Sequence, residues 1–81
     1  MSVQITLLYF ASLRDAAGVE QEALSTDALT LRDVYLDRAR VHAFTMPIER
    51  VRVAVDGAFA AWTDAPAAGS EVAFIPPVSG G

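Results

Sequence analysis

Residues 71–81, which read EVAFIPPVSGG, join an alternating apolar segment to two prolines and an end of small residues that closes in two glycines. Val72 and Phe74 fall on one face of a predicted strand from Glu71 to Ile75, and their neighbours fall on the other face. Two prolines follow, and because proline has no N–H to donate to a sheet, the strand must end there. The stretch therefore predicts a core strand that passes directly into an extended tail.

The other strongly alternating segment lies at the start of the chain, where residues 3–10 read VQITLLYF. Its odd-numbered residues predict a buried face and its even-numbered residues an outer face. Since these first and last strands are the most apolar, both are expected at the centre of the sheet. Known small α+β topologies then favour a β-grasp arrangement, in which the two strands are parallel neighbours.

The main helix is predicted to begin at Thr30. Thr30 and Asp33 form a T-x-x-D cap, and apolar residues at 31, 34, 35 and 39 recur at helical spacing. A short helical turn is expected over residues 11–17, with Gly18 as its stop, and a polar edge strand over residues 19–24. His42, near the end of the main helix, is interpreted as a solvated or capping group.

Asp56-Gly57 predicts a hairpin, because both residues tolerate the positive φ that a tight turn requires. The hairpin would join a strand over residues 50–55, with Arg50 and Arg52 outward, to a strand over residues 59–62. The predicted class is α+β: a β-grasp (ubiquitin-like) mixed sheet with one main helix packed on it and an extended C-terminal tail. The domain is assigned to residues 1–75 and the tail to residues 76–81.

The composition excludes many kinds of chemistry. The 81 residues include no cysteine, one histidine and six basic residues, all of them arginine, with a net charge of −4. Disulfides, thiolate metal sites and Schiff bases are therefore excluded, and neither nucleic-acid binding nor a metal site is expected. The N-terminus lacks the basic region of a signal peptide and is too short and polar to span a membrane. We expect a cytoplasmic protein.

These exclusions leave carboxylates, hydroxyls, the backbone and the chain ends, and the tail itself carries one reactive group, the terminal carboxylate of Gly81. Six extended residues reach about 20 Å from the domain. The absence of Cβ atoms at its end allows a partner's backbone to approach closely. A carboxylate becomes reactive once ATP-dependent adenylation activates it, so the pattern favours a carrier; the alternative is a frayed, inert terminus. The predicted tail residues are Pro76, Pro77, Val78, Ser79, Gly80 and Gly81.

A docking surface is predicted beside the tail. If the first and last strands are parallel neighbours, their outer faces end in apolar residues at the point where the tail leaves. Exposed apolar surface of this kind usually marks an interface. The alternative is that loops of the same domain cover it. The candidate partner-binding residues are Leu8, Phe10, Phe59, Ala73 and Ile75.

Three stretches carry a family resemblance: LYFASLRDAAG at residues 8–18, VAVDG at residues 53–57, and GSEVAFIPPVSGG at residues 69–81. The last is the most specific. Together they resemble the small subunit of molybdopterin synthase, a ubiquitin-like sulfur carrier of the MoaD type. In that family, apolar positions matching Phe10, Phe59 and Ile75 contact partners; here isoleucine stands at 75, where an aromatic residue is common.

The resemblance implies that Gly81 is adenylated by an E1-like enzyme using ATP and then converted to a thiocarboxylate. The sulfur would come from a sulfurtransferase or cysteine desulfurase system. The tail would insert into the large synthase subunit and donate sulfur to cyclic pyranopterin monophosphate. The chain would bind no cofactor itself. It would be no enzyme alone, since the catalytic side chains belong to the large subunit. Two copies of each subunit would form the assembly. Alternatives are a carrier for thiamine or cysteine biosynthesis, a ubiquitin-like modifier, or a non-carrier β-grasp interaction module.

Overall fold

The structure is a computed structural model that describes residues 2–77. It contains five strands, two α-helices and, at Ile48–Arg50, a 3₁₀ turn within that range. In chain order the strands and helices are β1 (Val3–Tyr9), α1 (Ala11–Ala17), β2 (Gln21–Thr26), α2 (Leu31–His42), β3 (Arg52–Val55), β4 (Ala58–Ala60) and β5 (Glu71–Ile75).

The sheet has the strand order β2-β1-β5-β3-β4. The predicted parallel pairing of the first and last strands is confirmed, since Thr6 lies opposite Glu71 and Tyr9 opposite Phe74. The other three pairs are antiparallel. This mixed sheet with a helix packed on one face is the predicted α+β β-grasp fold.

The inner face of the sheet carries the core, as the alternation predicts. There β1 contributes Leu7, which is fully buried, and Ile5 and Tyr9, which are 3% and 2% exposed. From β5 come Val72 and Phe74, both fully buried. Leu31, Val34 and Tyr35 of α2 join the same cluster. The rings of Tyr35 and Phe74 meet edge to face with centroids 5.2 Å apart, a favourable aromatic geometry. The helix is therefore fixed across the centre of the sheet.

The predicted start of α2 is confirmed. The Thr30 hydroxyl accepts a hydrogen bond from the Asp33 backbone N–H at 3.2 Å. Two further N–H groups of the first turn donate to carbonyls of the loop after β4: Leu31 to Asp64 at 2.8 Å and Arg32 to Trp62 at 3.0 Å. Because free N–H groups at a helix start need partners, this loop anchors the helix.

The hairpin is also confirmed, with Asp56 at φ 50° and Gly57 at φ 86°. Two neighbouring predictions are wrong. The returning strand ends at Ala60, because Trp62 turns inward, stacks on Phe74 and donates from Nε1 to the Val51 carbonyl at 3.3 Å. Arg50 lies in the 3₁₀ turn, so only Arg52 belongs to β3.

A half-buried polar group, here called the Glu22 cluster, joins β1, β2 and α2. The Glu22 carboxylate accepts hydrogen bonds from Tyr9 Oη at 2.7 Å and from the Arg38 guanidinium at 3.3 Å, and lies 3.1 Å from His42 Nε2. The interpretation of His42 as solvated or capping is wrong, because its ring also packs against Tyr9 and its side chain is 15% exposed. The cluster attaches the edge strand β2 to the helix.

The charges in this cluster shift its acid–base behaviour. Burial alone raises the pKa of Glu22, but the hydrogen bonds from Tyr9 and His42 and the positive charge of Arg38 outweigh it, so the Glu22 pKa lies below its ordinary value. Burial, together with the hydrogen bond to Glu22, raises the pKa of Tyr9. Glu22 is therefore an anion, and Tyr9 a neutral donor, at neutral pH.

Among residues 2–77, no helix has the length and apolar character needed to cross a membrane.

Candidate functional site

The outer face of the sheet carries an apolar row that crosses four strands. Leu8 of β1 lies opposite Ala73 of β5, Ala73 lies opposite Ala54 of β3, and Ala54 lies opposite Phe59 of β4. Small side chains at the two central positions lower the surface between Leu8 and Phe59. The row therefore forms the floor and two sides of a shallow groove.

The groove has a volume of about 280 Å³. Phe10 and Ile75 border it at the end where β5 stops, and Phe10 retains 46% of its surface and Phe59 68%. Large apolar side chains exposed together on one face are typical of an interaction surface, and docking at this face stays a prediction. The residues lining it, here called the docking groove, are Leu8, Phe10, Ala54, Gly57, Phe59, Glu71, Ala73 and Ile75.

All five predicted partner-binding residues thus line a single groove, whose partner remains a prediction. Sequence reasoning missed Ala54, Gly57 and Glu71 as lining residues. Ala54 was recognisable from the alternation, because it lies between the inward-facing Val53 and Val55 and must point outward. Gly57 lines the groove only because the hairpin folds beside it, which no local pattern reveals.

The two ends of the groove carry opposite charges. Arg52 lies opposite Ile75, the last residue of β5, and its guanidinium carbon is 5.4 Å from the centre of the Phe59 ring. At the other end, Glu71 begins β5, and its backbone N–H donates to the Asp56 carboxylate at 2.9 Å. The groove is therefore cationic near the end of β5 and anionic at the opposite end.

The described part of the tail begins at Pro76, which is buried, and Pro77 is exposed. The chain thus keeps contact with the domain through the first proline. The predictions for Val78, Ser79, Gly80 and Gly81 lie outside the described residues. What the structure establishes is that the segment leading to them departs next to Phe10 and Ile75, at one end of the docking groove.

Within the described range, no group of three or more His, Asp or Glu side chains is arranged to hold a metal ion. The Glu22 cluster contains Glu22, His42 and a tyrosine, but these groups bond to one another on the helix side of the sheet. They do not line the docking groove.

A β-grasp domain with an apolar groove beside the start of a glycine-terminated tail defines a ubiquitin-like carrier. The chain belongs to the ThiS family, whose model matches residues 7–81. The resemblance to the ubiquitin-like sulfur carriers is thereby confirmed, and the fold is that of the ThiS and MoaD-type proteins. No curated protein sequence matches the chain.

Solved structures with the same fold include small archaeal modifier proteins and subunits of the molybdopterin-converting factor. SAMP1 from Haloferax volcanii is 28% identical, with a TM-score of 0.79, and the match covers 96% of this chain and 99% of that one. A putative molybdopterin converting factor subunit 1 from Pyrococcus furiosus is 26% identical, with a TM-score of 0.77. That match covers 95% of this chain and 100% of the other chain. The complex of subunits 1 and 2 of the molybdopterin-converting factor from Helicobacter pylori contains a chain with the same fold, at 14% identity and a TM-score of 0.63. That match covers 98% of this chain and 100% of the other chain.

Proposed function

We propose that this chain is the sulfur carrier of molybdopterin synthase in molybdenum cofactor biosynthesis. The observation that carries the proposal is the docking groove, which opens beside the segment that leads into the glycine-terminated tail. A partner seated on the groove receives the tail at a fixed place. A carrier needs this arrangement, because the catalytic groups that act on its terminus belong to the partner.

The chemistry takes place at the Gly81 carboxyl carbon. The carboxylate attacks the α-phosphate of ATP, releasing pyrophosphate and forming an acyl-adenylate. A persulfide sulfur from the donor system then replaces AMP at the carbonyl carbon, and reductive cleavage of the S–S bond by a thiol leaves the thiocarboxylate. The sulfur then bonds to a carbon of cyclic pyranopterin monophosphate, and water cleaves its bond to the Gly81 carbonyl carbon, which returns the carboxylate, so the carrier can be loaded again.

Three partners follow from this sequence of steps: an E1-like adenylating enzyme, a sulfur donor, and the large synthase subunit. The neighbour from Helicobacter pylori, a complex of subunits 1 and 2 of the molybdopterin-converting factor, supports the last of these. ATP belongs to the activating enzyme, and the chain itself needs no bound cofactor.

The proposal is tested by loading and transfer. The chain is co-expressed with the adenylating enzyme and a sulfur source, and its intact mass is measured; we expect a gain equal to the replacement of one oxygen by sulfur. A variant lacking Gly81 is the control, and it should fold normally but remain unloaded. If the full chain also stays unloaded where a known carrier is loaded, the chain is no carrier.

Transfer is then measured by adding the large synthase subunit and cyclic pyranopterin monophosphate. Formation of the dithiolene product by the loaded chain, but not by the unloaded one, is expected. A loaded chain that yields no dithiolene with a large subunit active on its own carrier refutes the molybdopterin assignment, while leaving the carrier chemistry intact.

A second candidate is a ubiquitin-like protein modifier, favoured by the similarity to SAMP1 at 28% identity. A modifier forms an amide between its terminal carboxyl and a lysine of a target protein. The same co-expression distinguishes the two functions: a modifier gives protein conjugates that resist thiols and contain a Gly81–lysine isopeptide, whereas a sulfur carrier gives only the free thiocarboxylate. A thiamine-pathway carrier would load identically and fail only in the dithiolene assay.

A further inference from the structure

Arg52 lies beside the end of the docking groove from which the tail departs. It lies opposite Ile75, in the last residue pair that joins β3 to β5, one residue before the chain turns into Pro76. Its exposed side chain lies on the outer face with the groove residues, because Ala54, two positions further along β3, lies on the groove floor. An arginine therefore stands where the docking surface meets the segment that a partner must receive.

The guanidinium of Arg52 is also held in place. Phe59 is directly opposite Ala54, so Arg52 and Phe59 form a diagonal pair across the two strands, which is within reach of long side chains. The guanidinium carbon lies 5.4 Å from the Phe59 ring centre, in the range of a cation–π contact. This contact orients the planar group above the groove and leaves its N–H donors available for an acceptor.

Three of the six arginines form ion pairs within the described residues, and Arg52 is among the three that do not. Arg14 pairs with Glu20 at 3.7 Å, Arg38 with Glu22 and Asp37, and Arg40 with Asp37 at 2.8 Å. Within residues 2–77, no carboxylate lies within ion-pair distance of Arg52, Arg32 or Arg50, and of these three only Arg52 lies at the groove. Among residues 2–77, Arg52 is therefore the arginine that combines the lack of an ion-pair partner with a position at the groove.

We propose that Arg52 forms an ion pair with a carboxylate that the large synthase subunit presents beside the entrance for the tail, an inference that rests on the proposed function. The occupant is identified by complementary shape and charge. It presents an apolar ridge that fills the groove, an acidic side chain at the Arg52 end, and no acidic side chain facing Glu71 and Asp56 at the other end. Opposite charges at the two ends permit only one orientation of the partner along the groove.

An ion pair at this position stabilises the complex more than a pair that stays exposed to water. When the ridge covers Phe59 and Ile75, the guanidinium loses water, and its bidentate donors then favour a carboxylate over other acceptors. Because the pair lies one residue from Pro76, it fixes the partner where the tail begins rather than at a remote edge. Arg52 is thus a positioning residue for delivery of the terminus, and it does not take part in the chemistry.

The test compares Arg52→Gln with Arg32→Gln. Both variants remove one exposed arginine charge without a side-chain ion pair in the described structure, but Arg32 lies in the first turn of α2, on the opposite face of the sheet. Binding of each variant to the large synthase subunit of the same organism is measured by calorimetry from about 0.05 to about 0.5 M salt, which spans strong and weak screening. Thermal unfolding confirms that both variants are folded.

We expect Arg52→Gln to bind about tenfold more weakly than the wild type, with a smaller loss of affinity as salt increases, and Arg32→Gln to match the wild type. Arg52→Lys, which keeps the charge but not the bidentate group, should bind with an affinity between those of Arg52→Gln and the wild type. Equal affinity of Arg52→Gln and wild type, or equal weakening by both glutamine variants, overturns the assignment of Arg52. If the wild-type chain itself does not bind, the proposed function fails, and this inference fails with it.

Discussion

Phe10→Ala tests whether the docking groove is a contact surface. Phe10 retains 46% of its surface in the free chain. An aromatic side chain offers about 200 Å², so a partner that covers Phe10 removes about 90 Å² from water. At about 25 cal/mol per Å², this burial stabilises the complex by about 2 kcal/mol, which corresponds to about a 30-fold change in Kd.

The control for this variant is Leu36→Ala. Leu36 is 44% exposed, nearly the same fraction as Phe10, but it lies on α2, behind the sheet. Both variants therefore lose a half-exposed apolar side chain, and only one lies at the groove. Calorimetric titration with the large synthase subunit gives Kd, and urea unfolding gives the stability of each free variant.

We expect Phe10→Ala to bind about 30-fold more weakly while Leu36→Ala binds like the wild type. The helix that follows Phe10 should persist, because the cap uses the backbone carbonyl of Phe10, which accepts from the Leu13 N–H at 3.1 Å. An unchanged Kd for Phe10→Ala shows that the groove is not the docking surface. A chain that unfolds at the assay temperature shows that Phe10 belongs to the core, contrary to its exposure.

Three further predictions concern stability. Glu22→Gln should lower the free energy of unfolding in urea by about 1–2 kcal/mol, because the charged acceptor shared by Tyr9 and Arg38 is lost; an unchanged midpoint contradicts the role of the Glu22 cluster. Since the folded-state pKa of Glu22 is lowered, its stabilisation is complete above the ordinary glutamate pKa of about 4.3 and disappears as the pH falls through the lower folded pKa. As the pH falls from about 6 to about 3, the urea midpoint should therefore decline less in Glu22→Gln than in the wild type. Equal declines in the two proteins would contradict a role for Glu22 in this pH dependence. Thr30→Ala should lower the free energy of unfolding by about 1 kcal/mol, measured by Trp62 fluorescence during urea unfolding. An unchanged free energy of unfolding would show that the cap is unimportant.

Patterns confined to neighbouring residues predicted most of the fold. The strand alternation identified the inner residues of β1 and β5, the T-x-x-D sequence identified the start of α2, and Asp56-Gly57 identified the hairpin. Each of these signals depends on the backbone geometry of a few consecutive residues. The end of α2 lacked the usual glycine, because the left-handed position after His42 is occupied by Ala43 at φ 57°.

Features that depend on distant residues were not predictable in this way. His42 looked like a helix-end cation, but Glu22 on β2 and Tyr9 on β1 make it part of a half-buried cluster. Trp62 looked like a strand residue, but its side chain packs on Phe74. For the groove, alternation gave the outward direction of each residue, whereas only the strand register shows that Arg52 meets both Ile75 and Phe59.

The register between β1 and β5 also fixes the distance from the docking groove to the tail. The two strands are parallel and pair from Thr6–Glu71 to Tyr9–Phe74, so the end of β5 is held beside the end of β1. A slip by one residue would move Phe74 from the core to the outer face and bring Ala73 and Ile75 inward, because side chains alternate with a period of two. Burial of Val72 and Phe74 opposes that slip. The same contacts that stabilise the core therefore keep the groove at a constant distance from Pro76, as the proposed delivery of one carboxyl group to a partner's active site requires.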